Sequence, residues 1–246
     1  TACQYSNPKS DQAIQLPDHG EVWAIPWRQK PTNQPALSFS VEGRALPYIL
    51  YRKIEFAAES ALRFTYCATN PSDVPIAALW AAHPQLLVTS NAKVILPPDI
   101  SQVCNVLPED FGWGALEELI DWPTTTLSGD ETLRLDAVGP ADLNRARKFY
   151  VPPGQKASWI KIVRGTRQDW ISLSWDTKVI PYLGIWVDEG FYSAETVVAP
   201  EPSTGYYDSL ALAIEKGRHM LIEPGESVSW SLLMRFGDRH TPYFKA

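Results

Sequence analysis

Cysteine is scarce in this 246-residue chain, which carries only Cys3, Cys67 and Cys104. Their spacings form no CxxC pair and no zinc knuckle, which argues against a dithiol redox centre and a cysteine-based zinc site. The odd count, with Cys67 inside a core-like segment, predicts free thiols and a reducing, cytoplasmic compartment. Histidine is nearly as rare: His19, His83, His219 and His240. None falls in an HxH or HExxH pattern that would set several ligands on one face. Asp18, His19 and Glu21 are sequence neighbours but lack that spacing, so no metal is expected. A glycine-rich phosphate loop and a GxSxG elbow are both absent, which removes the usual signs of a nucleotide cofactor or a serine nucleophile. No apolar run approaches the roughly 20 residues that span a bilayer, and no segment reads as a signal peptide. Positive charge is in deficit, with 22 Lys and Arg against 28 Asp and Glu and a net charge of -6. Nucleic acid and anionic membranes want a basic face, so neither is an expected partner.

What is abundant is aromatic and proline: 10 Trp, 10 Tyr and 21 Pro. Hydrophobic residues make up 45% and charged residues 20%, ordinary for a folded protein. The length allows one domain over 1–246 with a large core. Short apolar runs punctuated by turn residues read as many strands. Candidates are Ser38 to Val41, Tyr48 to Phe56, Leu62 to Thr69, Lys93 to Leu96 and Thr132 to Asp136. Further along come Lys156 to Val163, Trp170 to Trp175, Tyr182 to Val187, Glu195 to Ala199 and Ser227 to Phe236. Ile76 to Ala82 is continuously apolar, the mark of a strand buried on both faces. Helix is expected over Asp208 to Lys216, with Asp208 as N-cap and Gly217 past the end, and as a single turn over Leu116 to Ile120. This spacing predicts an all-β sandwich or barrel.

Three residues stand out for chemistry. His83 lies in Trp80-Ala-Ala-His-Pro-Gln, where Pro84 ends the strand and a polar ring would line a pocket. His19 lies in the Asp18-His19-Gly20 turn. Glu201 sits between Pro200 and Pro202, which restrict the backbone on both sides and would aim a carboxylate. A structural histidine and an exposed loop glutamate are the plainer readings of the same residues. His219 and His240 read as surface histidines. Arg145, Arg147 and Lys148 form a basic cluster, read either as a solvated loop or as a phosphate contact.

Three segments together resemble the galactose mutarotase (aldose 1-epimerase) superfamily. The first runs from Pro47 to Leu86, with two strands, the turn Asn70-Pro-Ser and His83-Pro84 in place of an "HPYF"-like motif. The second is Leu16 to Trp27, with His19-Gly20 similar to the family's "HG" turn. The third is Tyr182 to Ala213, where LGIWVDEG precedes APEPSTGYYDSLALA, similar to the catalytic-glutamate segment. The closing PGESVSWSL resembles the family's last turn and strand. The chain departs from the pattern in Gln85 and Leu86, in the missing Gln of the glutamate segment, and in the eighteen residues before His19, which are fewer than the family carries.

The resemblance implies a β-supersandwich of large antiparallel sheets, and no metal or organic cofactor. It implies His83 as general acid, Glu201 as general base and His19 as a sugar-holding residue. Asp188 and Trp186 are the candidates for the acidic contact and for stacking on a pyranose. The implied reaction interconverts the α and β anomers of a free or phosphorylated aldose, by a monomer or homodimer. A hexose 6-phosphate epimerase is the nearest variant, although Trp23 stands where an "HGxxR" arginine would meet the phosphate. A non-catalytic carbohydrate-binding protein is the alternative from another class, and a glycan hydrolase would want a second carboxylate across the bond.

Overall fold

A computed structural model describes residues 2–6, 13–126, 132–165 and 168–241. Strands dominate. The described residues hold one α-helix, Leu210–Glu215, and two single 3-10 turns, Glu109–Phe111 and Ala141–Leu143. No helix among them is long and apolar enough to cross a membrane. The three cysteines are free thiols.

The chain divides into two compact units. The first holds Thr1–Trp80 and Thr204–Leu233. Its main sheet places Arg28–Lys30, Ala36–Glu42, Ile49–Ala58, Ala61–Thr69 and then the strand starting at Ser227 side by side. Ile49–Ala58 and Ala61–Thr69 form a long antiparallel hairpin with a register shift between Phe56 and Ala58. Asn70, fully buried, closes the turn that follows. Its amide donates to the carbonyls of Val74 and Ile222, and its side-chain oxygen accepts from the Ser72 amide and hydroxyl. Tyr66, Trp80 and Trp230 pack ring against ring, with centroids 4.7–5.7 Å apart. The helix begins at Leu210, one turn position later than expected, because the Ser209 hydroxyl accepts from the Leu212 amide and takes the N-cap role assigned to Asp208.

The second unit holds Ala81–Ser203 and Met234–Ala246. A six-stranded sheet runs in the order Leu119–Asp121, Gln102–Asn105, Arg145–Tyr150, Tyr182–Glu189, Thr196–Ser203 and Leu86–Leu87. Three further strands lie side by side in the order Asp169–Trp175, Trp159–Arg164 and Lys93–Ile95. Leu119–Asp121 is a strand where a helical turn was expected. It pairs with Gln102–Asn105, and that pairing overrides the local preference.

Two differences from the sequence reading shape the site. Glu201 is not in a loop, because Thr196–Ser203 continues as a strand through both prolines. The Pro202 carbonyl accepts from the Ala82 amide. In an extended residue N and O point the same way, so the Pro202 nitrogen faces away from the Tyr182–Glu189 ladder and no bond to it is lost. Conversely, the expected Ile76 to Ala82 strand stops at Ala78. Beyond it, Ala81 bridges Ser203 and Ala82 bonds Pro202, which delivers the next residue, His83, beside Glu201.

Candidate functional site

Strand register decides which side chains meet. Gly184 stands opposite Glu201 on one side and Tyr150 on the other. Trp186 stands opposite Lys148 and Ala199. Directly opposed residues share a face, so Glu201, Gly184, Tyr150, Lys148 and Trp186 lie on one face of the six-stranded sheet. The intervening residues, Phe149, Ile185 and Val187, are buried on the other face.

Glu201 is the centre of this face. Its side chain is only 3% exposed. One carboxylate oxygen, Oε2, lies 3.0 Å from Lys148 Nζ. The other, Oε1, lies 3.2 Å from His83 Nε2 but accepts no aligned hydrogen bond. A buried acceptor left open in this way is costly unless something else fills it. Burial pushes the Glu201 carboxyl upward, but the Lys148 ammonium and the His83 ring outweigh it and hold it below its ordinary 4.5. The Glu201 carboxylate in turn lifts the His83 imidazole above its ordinary 6.5, against burial and the repulsion of Lys148. The pair is therefore a carboxylate that favours ionisation beside an imidazole that favours protonation, its ring about one third exposed.

Gly184 makes room for this arrangement. A Cβ there would lie 2.9 Å from Cζ of Tyr150 and 3.2 Å from its hydroxyl oxygen. Tyr150 is itself only 2% exposed, so its ring has little freedom to give way. Gly184→Ala is expected to lower unfolding stability by about 1–3 kcal/mol through overpacking. Urea unfolding of the purified variant measures this, and an unchanged midpoint would mean that Tyr150 moves aside freely.

The remaining sequence candidates fall in other settings. Asp188 is 3% exposed and its oxygens accept the backbone amides of Phe191, Tyr192 and Ser193 at 2.8–3.3 Å; it clasps the loop that follows its strand. Trp186 is half-buried, with its ring 5.5 Å from that of Tyr192. His19 belongs to the first unit, where it is exposed, with Nδ1 3.1 Å from Asp18 and its ring edge-on to Trp23. Glu21 is committed to the backbone amides of Arg44 and Ala45. Among the described residues no group of His, Cys, Asp or Glu could hold a metal ion. His219, expected at the surface, is half-buried with a shielded Nδ1, whereas His240 is exposed.

The basic cluster is neither a solvated loop nor a single patch. Arg145–Tyr150 is a strand of the sheet, so its alternate residues part to opposite faces. Arg145 and Arg147 both pair with Glu189, which is wholly buried. Their guanidinium groups lie 5.4 and 5.5 Å from the Trp113 ring, whose Nε1 donates to the Ala146 carbonyl. Burial lowers the Arg147 value to about 10. Lys148 points the other way, to Glu201; the sequence marked it only as part of the basic cluster, not as a partner of the glutamate.

No family model and no curated protein sequence matches the chain. Solved structures do match. A galactose mutarotase-like protein from Lactobacillus casei has 13% identity, with 95% of this chain and 80% of that one covered at a TM-score of 0.69. A galactose mutarotase related enzyme from Lactobacillus acidophilus has 15% identity, with 95% and 78% covered and a TM-score of 0.64. A protein from Escherichia coli K12, described as a candidate aldose 1-epimerase, has 16% identity, with 94% and 78% covered and a TM-score of 0.68. The chain has the all-β galactose mutarotase-like fold built of large antiparallel sheets, in a divergent sequence.

Proposed function

We propose that this protein is an aldose 1-epimerase that interconverts sugar anomers with Glu201 as base and His83 as acid. The observation that carries the reading is the adjacency of the buried Glu201 carboxylate and the His83 ring, 3.2 Å apart. The reaction needs that adjacency. The anomeric hydroxyl and the ring oxygen are bonded to the same carbon, so the group that removes one proton must stand beside the group that delivers the other. Oε1 of Glu201, open to a donor, takes the proton of the anomeric hydroxyl. His83 Nε2–H protonates the ring oxygen as the ring C–O bond breaks. The open-chain aldehyde turns about its C1–C2 bond and the ring closes on the other face, returning both protons. Each positioned group is worth roughly 10²–10⁴-fold. Lys148 keeps Oε2 occupied and leaves Oε1 for the sugar. The similarity to structures described as mutarotase-like and as an aldose 1-epimerase supports the same chemistry.

A free aldose fits better than a phosphorylated one. Arg145 and Arg147 turn to Glu189 on the opposite face, and the one cation of that cluster on the site face is paired with Glu201. The test is NMR exchange spectroscopy of anomeric protons across a panel of free and phosphorylated aldoses. Enhanced exchange for a free sugar is the expected result. Binding without exchange for every sugar would move the protein to the non-catalytic carbohydrate-binding class.

The pH dependence follows from the pair. A carboxyl held low stays ionised below its ordinary 4.5, and an imidazole held high stays protonated above its ordinary 6.5. Exchange should therefore follow a bell with its acid limb below pH 4.5 and its basic limb above pH 6.5. A basic limb at or under pH 6.5 would contradict His83 as the acid.

A further inference from the structure

Beside the acid–base pair lies a row of aromatic rings. Trp186 stands two residues along the strand from Gly184, which faces Glu201, so it rises from the same face about 7 Å further on. From there the rings continue through the loop: Trp186 to Tyr192 at 5.5 Å, Tyr192 to Phe191 at 4.8 Å, and Phe191 to Phe111 at 5.3 Å. Successive rings are tilted by 50°, 65° and 49°, which gives a faceted, curved row. Tyr192 is 67% exposed and Phe191 46%. Core packing does not account for rings presented to water this way, and contiguous exposed apolar surface usually marks a binding site.

The loop is nevertheless held firmly. The buried Asp188 carboxylate accepts four hydrogen bonds from the amides of Phe191, Tyr192 and Ser193. Gly190 turns the chain with φ +90° and lies so close to the Ala141 carbonyl that no side chain would fit. A buried charge committed to an exposed aromatic loop fixes the rings in one arrangement, which lowers the ordering cost of a ligand.

We infer that this shelf is a subsite for further sugar units, and that the substrate is the reducing end of a neutral oligosaccharide. The inference rests on the epimerase reading for the position of the anomeric carbon. Only the reducing-end unit of a sugar chain carries a free hemiacetal, so that unit occupies Glu201 and His83 and the rest of the chain leads away. The shelf starts one side-chain repeat from that point. Its rings offer apolar faces that match the C–H faces of pyranoses, and none of the four is a charged residue that would select an anionic chain.

Anomer exchange of glucose, maltotriose and cellotriose, and of galactose and β-1,4-galactotriose, tests this. The wild type should exchange one trisaccharide at least about tenfold more efficiently than its monosaccharide, a difference of about 1.4 kcal/mol. Combining Phe191→Ser with Tyr192→Ala should collapse that ratio toward one, with an unchanged unfolding midpoint because both rings are exposed. Equal efficiency on trisaccharide and monosaccharide in the wild type would overturn the subsite while leaving the epimerase reading in place. A second readout does not need turnover: trisaccharide line broadening with Glu201→Gln should exceed that of the monosaccharide and be lost when the two ring substitutions are added. If no sugar is exchanged but this ring-dependent binding persists, the rings remain a sugar-binding shelf, and the reducing end as substrate falls together with the catalytic reading.

Discussion

Glu201→Gln should reduce anomer exchange by at least roughly 10²–10⁴-fold while sugar binding persists. Gln keeps the shape and one acceptor but has no basic lone pair with which to take the anomeric proton. His83→Asn should lose a similar factor, since Asn donates a hydrogen bond but releases no proton to the ring oxygen. The two losses are not additive, because a base without its acid already leaves the concerted step broken. The double variant should therefore be close to either single one. Ligand line broadening separates the effects: a variant that binds but does not exchange has lost chemistry. Normal exchange by purified Glu201→Gln would sink the assignment, since among the described residues Glu201 is the carboxylate paired with His83.

The pH behaviour of stability gives an independent check on the same charges. Glu201 is held low in the folded state, so its contribution to stability is full above its ordinary 4.5 and is lost as pH falls through the folded value. His83 is held high, so its contribution is full below its ordinary 6.5 and is lost as pH rises through the folded value. The pair therefore stabilises most between those two ordinary values and progressively less outside them.

Much of the fold was legible because alternation of apolar and polar residues reports a half-buried strand. Tyr48 to Phe56 and Leu62 to Thr69 alternate and appear as Ile49–Ala58 and Ala61–Thr69. Arg145–Tyr150 does not alternate: it places Arg147 against Glu189 on one face and Lys148 against Glu201 on the other, both largely shielded from water. Three charged positions within four residues look like a loop until the partners across the sheet are known. Those partners lie about 40 to 55 residues away in sequence, beyond any local pattern. Glu201 and His83 were legible as residues, through the prolines beside them and through the family resemblance. Their contact was not, because it depends on the Ala82–Pro202 hydrogen bond. Asp188 shows the reverse: its strand position was anticipated, but the amides that claim its oxygens belong to a loop whose path the sequence does not state.

Lys148→Met should alter both pH dependence and stability. The lysine sits 3.0 Å from Glu201 Oε2 and is 15% exposed, so the ion pair is poorly screened. Removing the ammonium leaves burial, which pushes the carboxyl up, opposed by His83 alone. Without the ammonium the carboxyl rises, and the acid limb of the exchange profile should climb with it. Stability at neutral pH should fall by about 3–5 kcal/mol, the usual result of leaving one member of a buried pair uncompensated. The deficit should shrink as pH drops, because a protonated Glu201 no longer needs its partner and the wild type is losing the same interaction. Lys148→Arg keeps the charge and should restore the acid limb more fully than it restores packing. Exchange measured from pH 4 to 8, paired with urea unfolding at both ends, separates these effects. An acid limb that stays put in Lys148→Met would mean that the ammonium does not hold the base ionised, and that its place beside Glu201 is structural.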